Sequence, residues 1–505
     1  MGDFSLDAGC EFQPLHELMR KAEIDIGIPC AGNHTCGKCR VLVQGQTDEV
    51  GVAEACLLTK EDIRNGVRLA CFCKVRGAIT LTLPGKGPER ILTNGVKAVA
   101  PGHPMMEPGF YGAAIDIGTT TVACYLFDST GNLVDSISEM NRQRRFGADV
   151  ISRIQYCIQN GRADVHEAIV RQLEKMLDRL AGKAGIPRGD IRAAVVTGNT
   201  IMLHLFANLD PEGMGSLPFT PESLFDWESE KLLRGVRTYL PPCVSAYVGA
   251  DLLCCVLTSE SYHRDGLSCV VDIGTNGEMA LCNRGVLSCC STAAGPAFEG
   301  AGISCGMMAA EGAISHVQPV ENGYRWQTIG NTEPRGVCGS GVVDTVNALL
   351  RTGALLPSGR LCEAQPYVER LENKSTLAFR YPGTDLSFTQ EDVRQLQLAK
   401  AAIYGGMQTL LADGKVRFED LDVLYLCGGF GSYLDLHSAE GIGLIPKGTA
   451  DKTVVLGNGA AAGAARILMS RAQRDTLRQL RDNCRYIELS ADETFMEYYV
   501  EAMSF

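Results

Sequence analysis

YGAAIDIGTTTVACYLFD (residues 111–128) and SCVVDIGTNGEMALC (residues 268–282) are two copies of one pattern. In each, an apolar run of strand type delivers Asp-Ile-Gly-Thr, and a second apolar strand follows at once. A strand–turn–strand unit that occurs twice predicts two similar subdomains facing a common cleft. Strands and helices alternate around both copies, so the expected class is α/β. At each turn a glycine lets the backbone approach a phosphate, and threonine hydroxyls and N–H groups can bond its oxygens. The aspartates, Asp116 and Asp272, suit Mg2+ held through water, since that ion keeps several of its waters. Two tight hairpins without a ligand are the alternative. A third glycine-rich turn, LYLCGGFGSYLD, after the apolar strand Val423 to Cys427 weighs against it. No G-x-x-x-x-G-K-[ST] occurs, which excludes a P-loop, and GGFG misses G-x-G-x-x-G, which argues against a Rossmann site.

The surrounding chain is long enough for two or three domains: 505 residues, 45% apolar, with mean hydropathy near zero. A net charge of −12, without a dense Lys/Arg stripe, argues against nucleic acid. RQRR at 142–145 is the densest basic run and reads as a solvated loop or helix face. No apolar stretch reaches the roughly 18 residues of a membrane helix, and the start MGDFSLDAGCEF lacks the basic head and apolar run of a signal peptide. A cytoplasmic location without a membrane partner is expected. Twenty-one cysteines then predict reduced thiols, some packed in the core and some metal-bound, rather than disulfides.

Residues 1–90 read as a small domain: a helix around Leu15 to Ala22, a cysteine loop, the strand RVLVQG, and strands near RLACFCKV and AITLTL. Cys30, Cys36 and Cys39 are spaced C-x5-C-x2-C, one residue longer in the first gap than the plant-type 2Fe-2S pattern. Ala31, Gly32, Asn33 and Gly37 let the loop curl so that N–H groups point at sulfur. A structural zinc site or redox-active pair built from Cys36, Cys39, Cys71 and Cys73 is the alternative, and it leaves Cys30 and the glycines unexplained. If 67–75 is extended, Val67, Leu69, Cys71, Cys73 and Val75 share one face, so alternation does not separate Cys71 from Cys73 as the fourth ligand. Cys56 is a third candidate.

Residues 91–109, with Pro101, Pro104 and Pro108 among glycines, read as a linker. As a coil it would span roughly 25 Å, and stretched up to about 60 Å, enough for the small domain to move between two positions. A fixed strap along the larger body is the alternative. Two subdomains, 110–265 and 266–470, and a C-terminal strand and helix, 471–505, would follow.

The cysteine loop resembles ferredoxin-like (β-grasp) domains of the adrenodoxin spacing, in which the last ligand follows a Leu-Ala or Leu-Gly pair; that resemblance selects Cys71. Such domains open with a complete β-hairpin, and here only FSLDAG precedes the helix, so an edge strand is expected to be missing. The three glycine turns resemble the phosphate and adenosine motifs of the acetate and sugar kinase, Hsp70 and actin superfamily, a two-lobed ATPase fold with duplicated subdomains. By that resemblance Asp116, Gly118, Thr119 and Thr120 form the first phosphate loop, and Asp272, Gly274, Thr275 and Asn276 the second. Gly428 and Gly429 lie against adenosine, and Glu278 orients water or metal.

The order CGKC, IDIGTTTV, TGNTIMLHLF, DIGTNGEM, STAAGPAFEGAGISCGM, CGSGVVD, TQEDVRQLQLAKAAI, CGGFGSYLD and GNGAAAGA resembles the reductive activators of corrinoid-dependent methyltransferases over nearly all of residues 25–465. The resemblance implies a 2Fe-2S cluster, ATP and Mg2+ as cofactors, a corrinoid protein and a low-potential electron donor as partners, and a homodimer as one assembly state. It implies one-electron reduction of the partner's Co(II) to Co(I), driven by ATP hydrolysis. STAAGPAFEGAGISCGM (291–307) reads either as a mobile contact surface or as a buried seam, and Cys305 and Cys338 as core thiols. Long members of the family insert a domain between linker and ATPase, which this chain lacks. The rival functions are a small-molecule kinase with a redox-sensing appendage, a dehydratase activator with a 4Fe-4S cluster, and a non-enzymatic redox-responsive scaffold.

Overall fold

The computed structural model describes residues 2–505 except 23, 25–33, 35–36, 38, 84–95, 322, 372–375 and 430–432. The N-terminal sheet runs in the order Gly2–Asp7, Lys74–Leu83, Arg40–Thr47, Val67–Leu69, with Gln13–Pro14 also on Lys74–Leu83; all pairings are antiparallel. Alternation in Arg40–Thr47 turns Val41 and Val43 inward, where they meet Leu15 and Met19 of the helix Leu15–Lys21. FSLD pairs along Lys74–Leu83 and, among the described residues, not with a hairpin partner of its own, so the opening hairpin is incomplete. One expectation needs correction. RLACFCKV is not one strand: after Val67–Leu69 the chain turns, with the Phe72 and Cys73 N–H groups both donating to the Leu69 carbonyl, and the Ala70 N–H reaching the Cys39 carbonyl.

Each Asp-Ile-Gly-Thr hairpin sits inside its own six-stranded sheet. In the first, Tyr111–Ile117 pairs in parallel with Ile191–Gly198 and antiparallel with Thr121–Asp128. In the second, Leu267–Ile273 pairs in parallel with Val423–Cys427 and antiparallel with Gly277–Asn283. The strands are buried and nearly continuous in apolar residues, as expected where both faces are covered.

Between the sheets lie the helices Ala250–Ser259 and Gly459–Met469, packed on each other. The alanines and glycines of GAAAGAA permit this: a side chain at Gly463 would collide with the Cys254 carbonyl. Ala461, Ala465, Leu253 and Cys255 share one core with Val270 and Ala114, so this helix pair joins the two halves.

The long helix Gln390–Asp413, started by a Thr389/Asp392 capping box, carries the C-terminal helix Glu493–Glu501 on its flank. Beyond 470 the chain forms the helix Ala472–Asp482 and the strand Cys484–Tyr486, which joins the second sheet, before that last helix. No described helix is long and apolar enough to cross a membrane.

The linker expectation is also corrected, for its described part. Residues 96–110 form the fixed strap. Met105 and Met106 are buried, the latter over Gly112 and Leu468, where a larger residue than glycine would clash. Hydrogen bonds from Val99 N to Gly131 O, Gly102 N to Met469 O and Met105 N to Leu468 O hold the backbone down. Composition suggested a coil because the residues that cover the methionines lie far along the chain. Residues 91–95 fall outside the described residues. RQRR is not a solvated face: Arg142–Arg145 is a 3-10 turn capped by Asn141, with Gln143 buried.

Candidate functional site

The two Asp-Ile-Gly-Thr turns close from opposite sheets onto one cleft of about 180 Å³. Asp116, Gly118, Thr119 and Thr120 line it from one side, and Asp272, Gly274, Thr275, Asn276 and Glu278 from the other; Gly428 and Gly429 complete it. The structure therefore brings together all the cleft residues expected from the sequence.

The first turn is held from behind by groups that sequence reasoning missed. Asn141 donates its side-chain amide to the Gly118 carbonyl at 2.8 Å and its N–H to the Thr120 carbonyl at 2.8 Å. Arg153, fully buried on the helix Val150–Asn160, donates to the Thr119 carbonyl at 2.6 Å and the Gly147 carbonyl at 3.0 Å. The Asn199 amide donates to the Thr119 hydroxyl at 3.2 Å. With three carbonyls engaged on the far side, the turn cannot collapse into the cleft. Gly118 is required there, since a side chain would come 2.8 Å from the Thr121 carbonyl. Gly428, at φ +103°, likewise lies too close to the Ile273 carbonyl for any side chain.

Besides Glu299, four carboxylates converge on the cleft: Asp116, Asp272, Glu278 and Asp251. Asp251 is a further missed residue, in the first turn of Ala250–Ser259, where the Leu252 N–H donates to it at 2.9 Å and the helix terminus favours an anion. Its only sequence signal is one acid within the apolar run VGADLLCCV. Asn458 donates to Asp116 at 2.9 Å, and the Cys255 thiol lies 3.6 Å from Asp272. Burial, with the Asp272 charge adding to it, pushes Asp116 up to about 7. Burial raises Asp272 to about 6, and burial plus the Asp272 charge raises Asp251 to about 8. Glu278 stands well above the usual carboxylate range, for burial first and then the Asp251 charge. No Lys or Arg charge is among the causes that shift any of the four. Acids gathered without a cation fit a divalent ion. No three His, Cys, Asp or Glu among the described residues close a metal site by themselves, so the fit is to an ion that keeps its waters and takes further ligands from a phosphate.

The segment 291–307 is the seam rather than an open surface. Ala294, Ala297, Phe298 and Ile303 are buried, and Phe298 with Glu299 lines the cleft. Cys338 is buried with its sulfur 3.4 Å from the Ile314 carbonyl, while Cys305 is partly buried.

In the N-terminal sheet the turn at 70–73 separates the two cysteines that alternation left together. The Cys71 sulfur is 3.3 Å from that of Cys39, whereas Cys73 faces the Lys74 carbonyl at 3.7 Å. The Cys71 hydrogen bond pulls Cys39 down to about 7 against the opposing effect of burial, with backbone N–H groups of residues 39, 70 and 71 adding to the lowering. Burial pushes Cys73 up to about 12. A thiol that gives up its proton easily, with backbone N–H groups aimed at its sulfur, suits a metal-bound thiolate. Arg68 grips Glu54 through two bonds of 3.0 and 2.9 Å, and Glu54 accepts the Leu69 N–H at 2.8 Å, which fixes the strand just before Cys71. Cys56 is exposed. Cys30 and Cys36 lie outside the described residues.

Comparison with known proteins is consistent along the chain. Residues 111–264, which carry the first Asp-Ile-Gly-Thr sheet, match the RACo middle region, and residues 266–505 match the C-terminal domain of RACo, the ASKHA domain, so a middle region is present where the sequence suggests that a domain between linker and ATPase is lacking. The chain is 37% identical to the corrinoid activation enzyme RamQ of Eubacterium limosum, over 78% of this chain and 70% of that protein. It is 26% identical to the [Co(II) methylated amine-specific corrinoid protein] reductase of Methanosarcina barkeri, over 78% of this chain and 77% of that one. A solved structure, a reductive activator for corrinoid, iron-sulfur protein, superposes with a TM-score of 0.73 at 29% identity, covering 98% of this chain and 95% of that chain. With family matches over most of its length and a relative of that identity, this chain belongs to the RACo family of corrinoid activators, with a mixed α/β fold and a C-terminal ASKHA domain.

Proposed function

We propose that this protein is an ATP-hydrolysing reductive activator: it passes one electron to the Co(II) corrinoid of a cytoplasmic partner protein, giving Co(I), and uses ATP hydrolysis to make that step run. The observation that carries the reading is the presence in one chain of the clustered sulfurs Cys39 and Cys71 and a two-sided Asp-Ile-Gly-Thr cleft. The relatives' names supply the substrate class.

The small sheet is read as a ferredoxin-like domain spanning about residues 1–90, in which Cys39 and Cys71, with Cys30 and Cys36, hold a 2Fe-2S cluster. When bound, such a cluster supplies a one-electron carrier near −400 mV if it is of the plant type. Arg68 and Glu54 keep the Cys71 turn in place, and Cys73 stays a protonated core thiol.

In the cleft, Thr119, Thr120 and Thr275 bond phosphate oxygens, and the Gly118 and Gly274 turns admit the phosphate chain. Gly428 and Gly429 lie against the adenosine. Asp116 and Asp272 would hold Mg2+ through its waters, and Asp251 and Glu278 stand where they would orient water or accept a proton. Mg2+, when bound, neutralises phosphate charge and the four acids together. No residue in the cleft needs to transfer phosphate to a metabolite; cleavage by water changes how the two sheets meet, and that change is what the partner feels.

ATP turnover should therefore depend on the partner's cobalt state. A cognate Co(II) corrinoid protein should accelerate hydrolysis and its Co(I) product should do so less, because a partner shifts an equilibrium only by its differential binding. Equal stimulation by both states contradicts the reading. Phosphorylation of a sugar or carboxylate in place of water would favour the kinase alternative.

A further inference from the structure

Among the described residues, Glu299 is the carboxylate that ties the two halves of the cleft together through their phosphate-binding hydroxyls. It ends the 3-10 turn Pro296–Glu299 and is followed by Gly300 at φ +75°, where a side chain would collide with the Met307 backbone. The Thr120 hydroxyl, from the first turn, donates to Glu299 Oε2 at 2.6 Å. The Thr275 hydroxyl, from the second, lies 3.3 and 3.4 Å from its two oxygens, and the two threonines are 3.1 Å apart.

Each hydroxyl has one proton to give. A carboxylate that receives both occupies the place of a phosphate oxygen, and it does so in a cleft of about 180 Å³, below the roughly 300 Å³ at the small end of ligand sites. The same two protons cannot serve Glu299 and a nucleotide at once. Phosphate charge would also be repelled by a carboxylate at this distance.

We propose that Glu299 is a positioning residue for the nucleotide reaction: it holds Thr120 and Thr275 in register across the cleft and hands both hydroxyls to the phosphate when ATP arrives. This rests on the reading of the cleft as an ATP site. Glu299 trades some nucleotide affinity for a defined separation of the two turns. Its release is transmitted to the glycine-rich segment 295–306, because the turn that carries it is packed through Ala297 and Phe298 into the seam.

The test compares Glu299→Ala and Glu299→Gln with the wild-type chain, measuring the Kd of a non-hydrolysable ATP analogue with Mg2+, KM and kcat for ATP, and hydrogen exchange of 291–307. Failure of the wild-type chain to bind the analogue would remove the cleft reading itself, before either variant is compared. With binding established, Glu299→Ala should bind the analogue about three- to tenfold more tightly, with lower kcat and with exchange of 291–307 no longer responsive to nucleotide. Glu299→Gln, whose amide oxygen still accepts both hydroxyls, should also bind more tightly but recover most of kcat and the exchange response. Unchanged or weaker binding with a kcat loss of a hundredfold or more in both variants would overturn the proposal, since Glu299 would then act on the phosphate or its attacking water. Wild-type behaviour of both variants would overturn it as well.

Discussion

Arg153→Met tests whether the first phosphate turn is held from behind. The guanidinium is fully buried, and burial lowers it to about 9, which leaves it charged at neutral pH. It donates to the Thr119 carbonyl at 2.6 Å, the Gly147 carbonyl at 3.0 Å and the Met202 sulfur at 3.0 Å. Hydrogen bonds to a charged group contribute about 1.5–3 kcal/mol each, and an orphaned buried carbonyl costs about 1–3 kcal/mol. Removing the charge also removes its desolvation cost, so the net loss should be about 2–4 kcal/mol, with the methionine filling most of the volume. Urea unfolding followed at the tryptophans gives the stability, and initial rates give KM for ATP, which should rise because Thr119 and Thr120 are no longer fixed. Arg153→Lys keeps the charge but not the fork, and should lose about half as much. If Arg153→Met unfolds within about 0.5 kcal/mol of wild type, the effect of an ordinary surface change, and keeps its KM, the support assigned to this residue is wrong.

Three further outcomes follow from the same structure. Cys39→Ser and Cys71→Ser should abolish the visible iron–sulfur absorbance of anaerobically purified protein while Cys73→Ser keeps it; equal loss in all three would mean the turn at 70–73 does not select the ligand. The raised Asp116, Asp251 and Asp272 values mean that the metal-free fold binds protons the unfolded chain releases near 3.8. The stability they lend is full below that pH and is lost as pH rises through about 6 to 8, so Mg2+ should raise the melting temperature more at pH 8.5 than at pH 5.5. A shift independent of pH would show that the ion does not meet these acids. Met105→Ala and Met106→Ala should each destabilise the ATPase body by about 2–4 kcal/mol in chemical denaturation, and a neutral result would mean the strap is not seated.

What the sequence revealed and what it hid divide along contact distance. The hairpins were legible because strand, turn and strand are contiguous, and their duplication placed them on opposite halves before any contact was known. The choice between Cys71 and Cys73 was not legible from alternation, since it depends on the Leu69 carbonyl turning the chain and on the Ala70 N–H meeting Cys39. The strap was misread as a coil because Met105 bonds to the Leu468 carbonyl and Met106 shares a core with Leu468, more than three hundred residues away. Glu299 is separated from Thr120 by 179 residues and Arg153 from Thr119 by 34, so a glutamate in a glycine-rich run and an arginine on an amphipathic helix carried no local mark of their roles. Asp251 could have been suspected as a lone acid among apolar neighbours at a helix start.

The central claim is tested most directly by the cobalt spectrum. The anaerobic protein, a low-potential reductant and a candidate corrinoid protein poised in Co(II) are mixed with and without MgATP, and the absorbance of Co(I) is followed over time. The account predicts that Co(I) accumulates with MgATP, that it fails to do so with a non-hydrolysable analogue, and that Cys71→Ser and Asp272→Ala each prevent it, the first while ATP is still bound and the second while the cluster is intact. Equal Co(I) formation with and without MgATP, or undiminished formation by either variant, would contradict it.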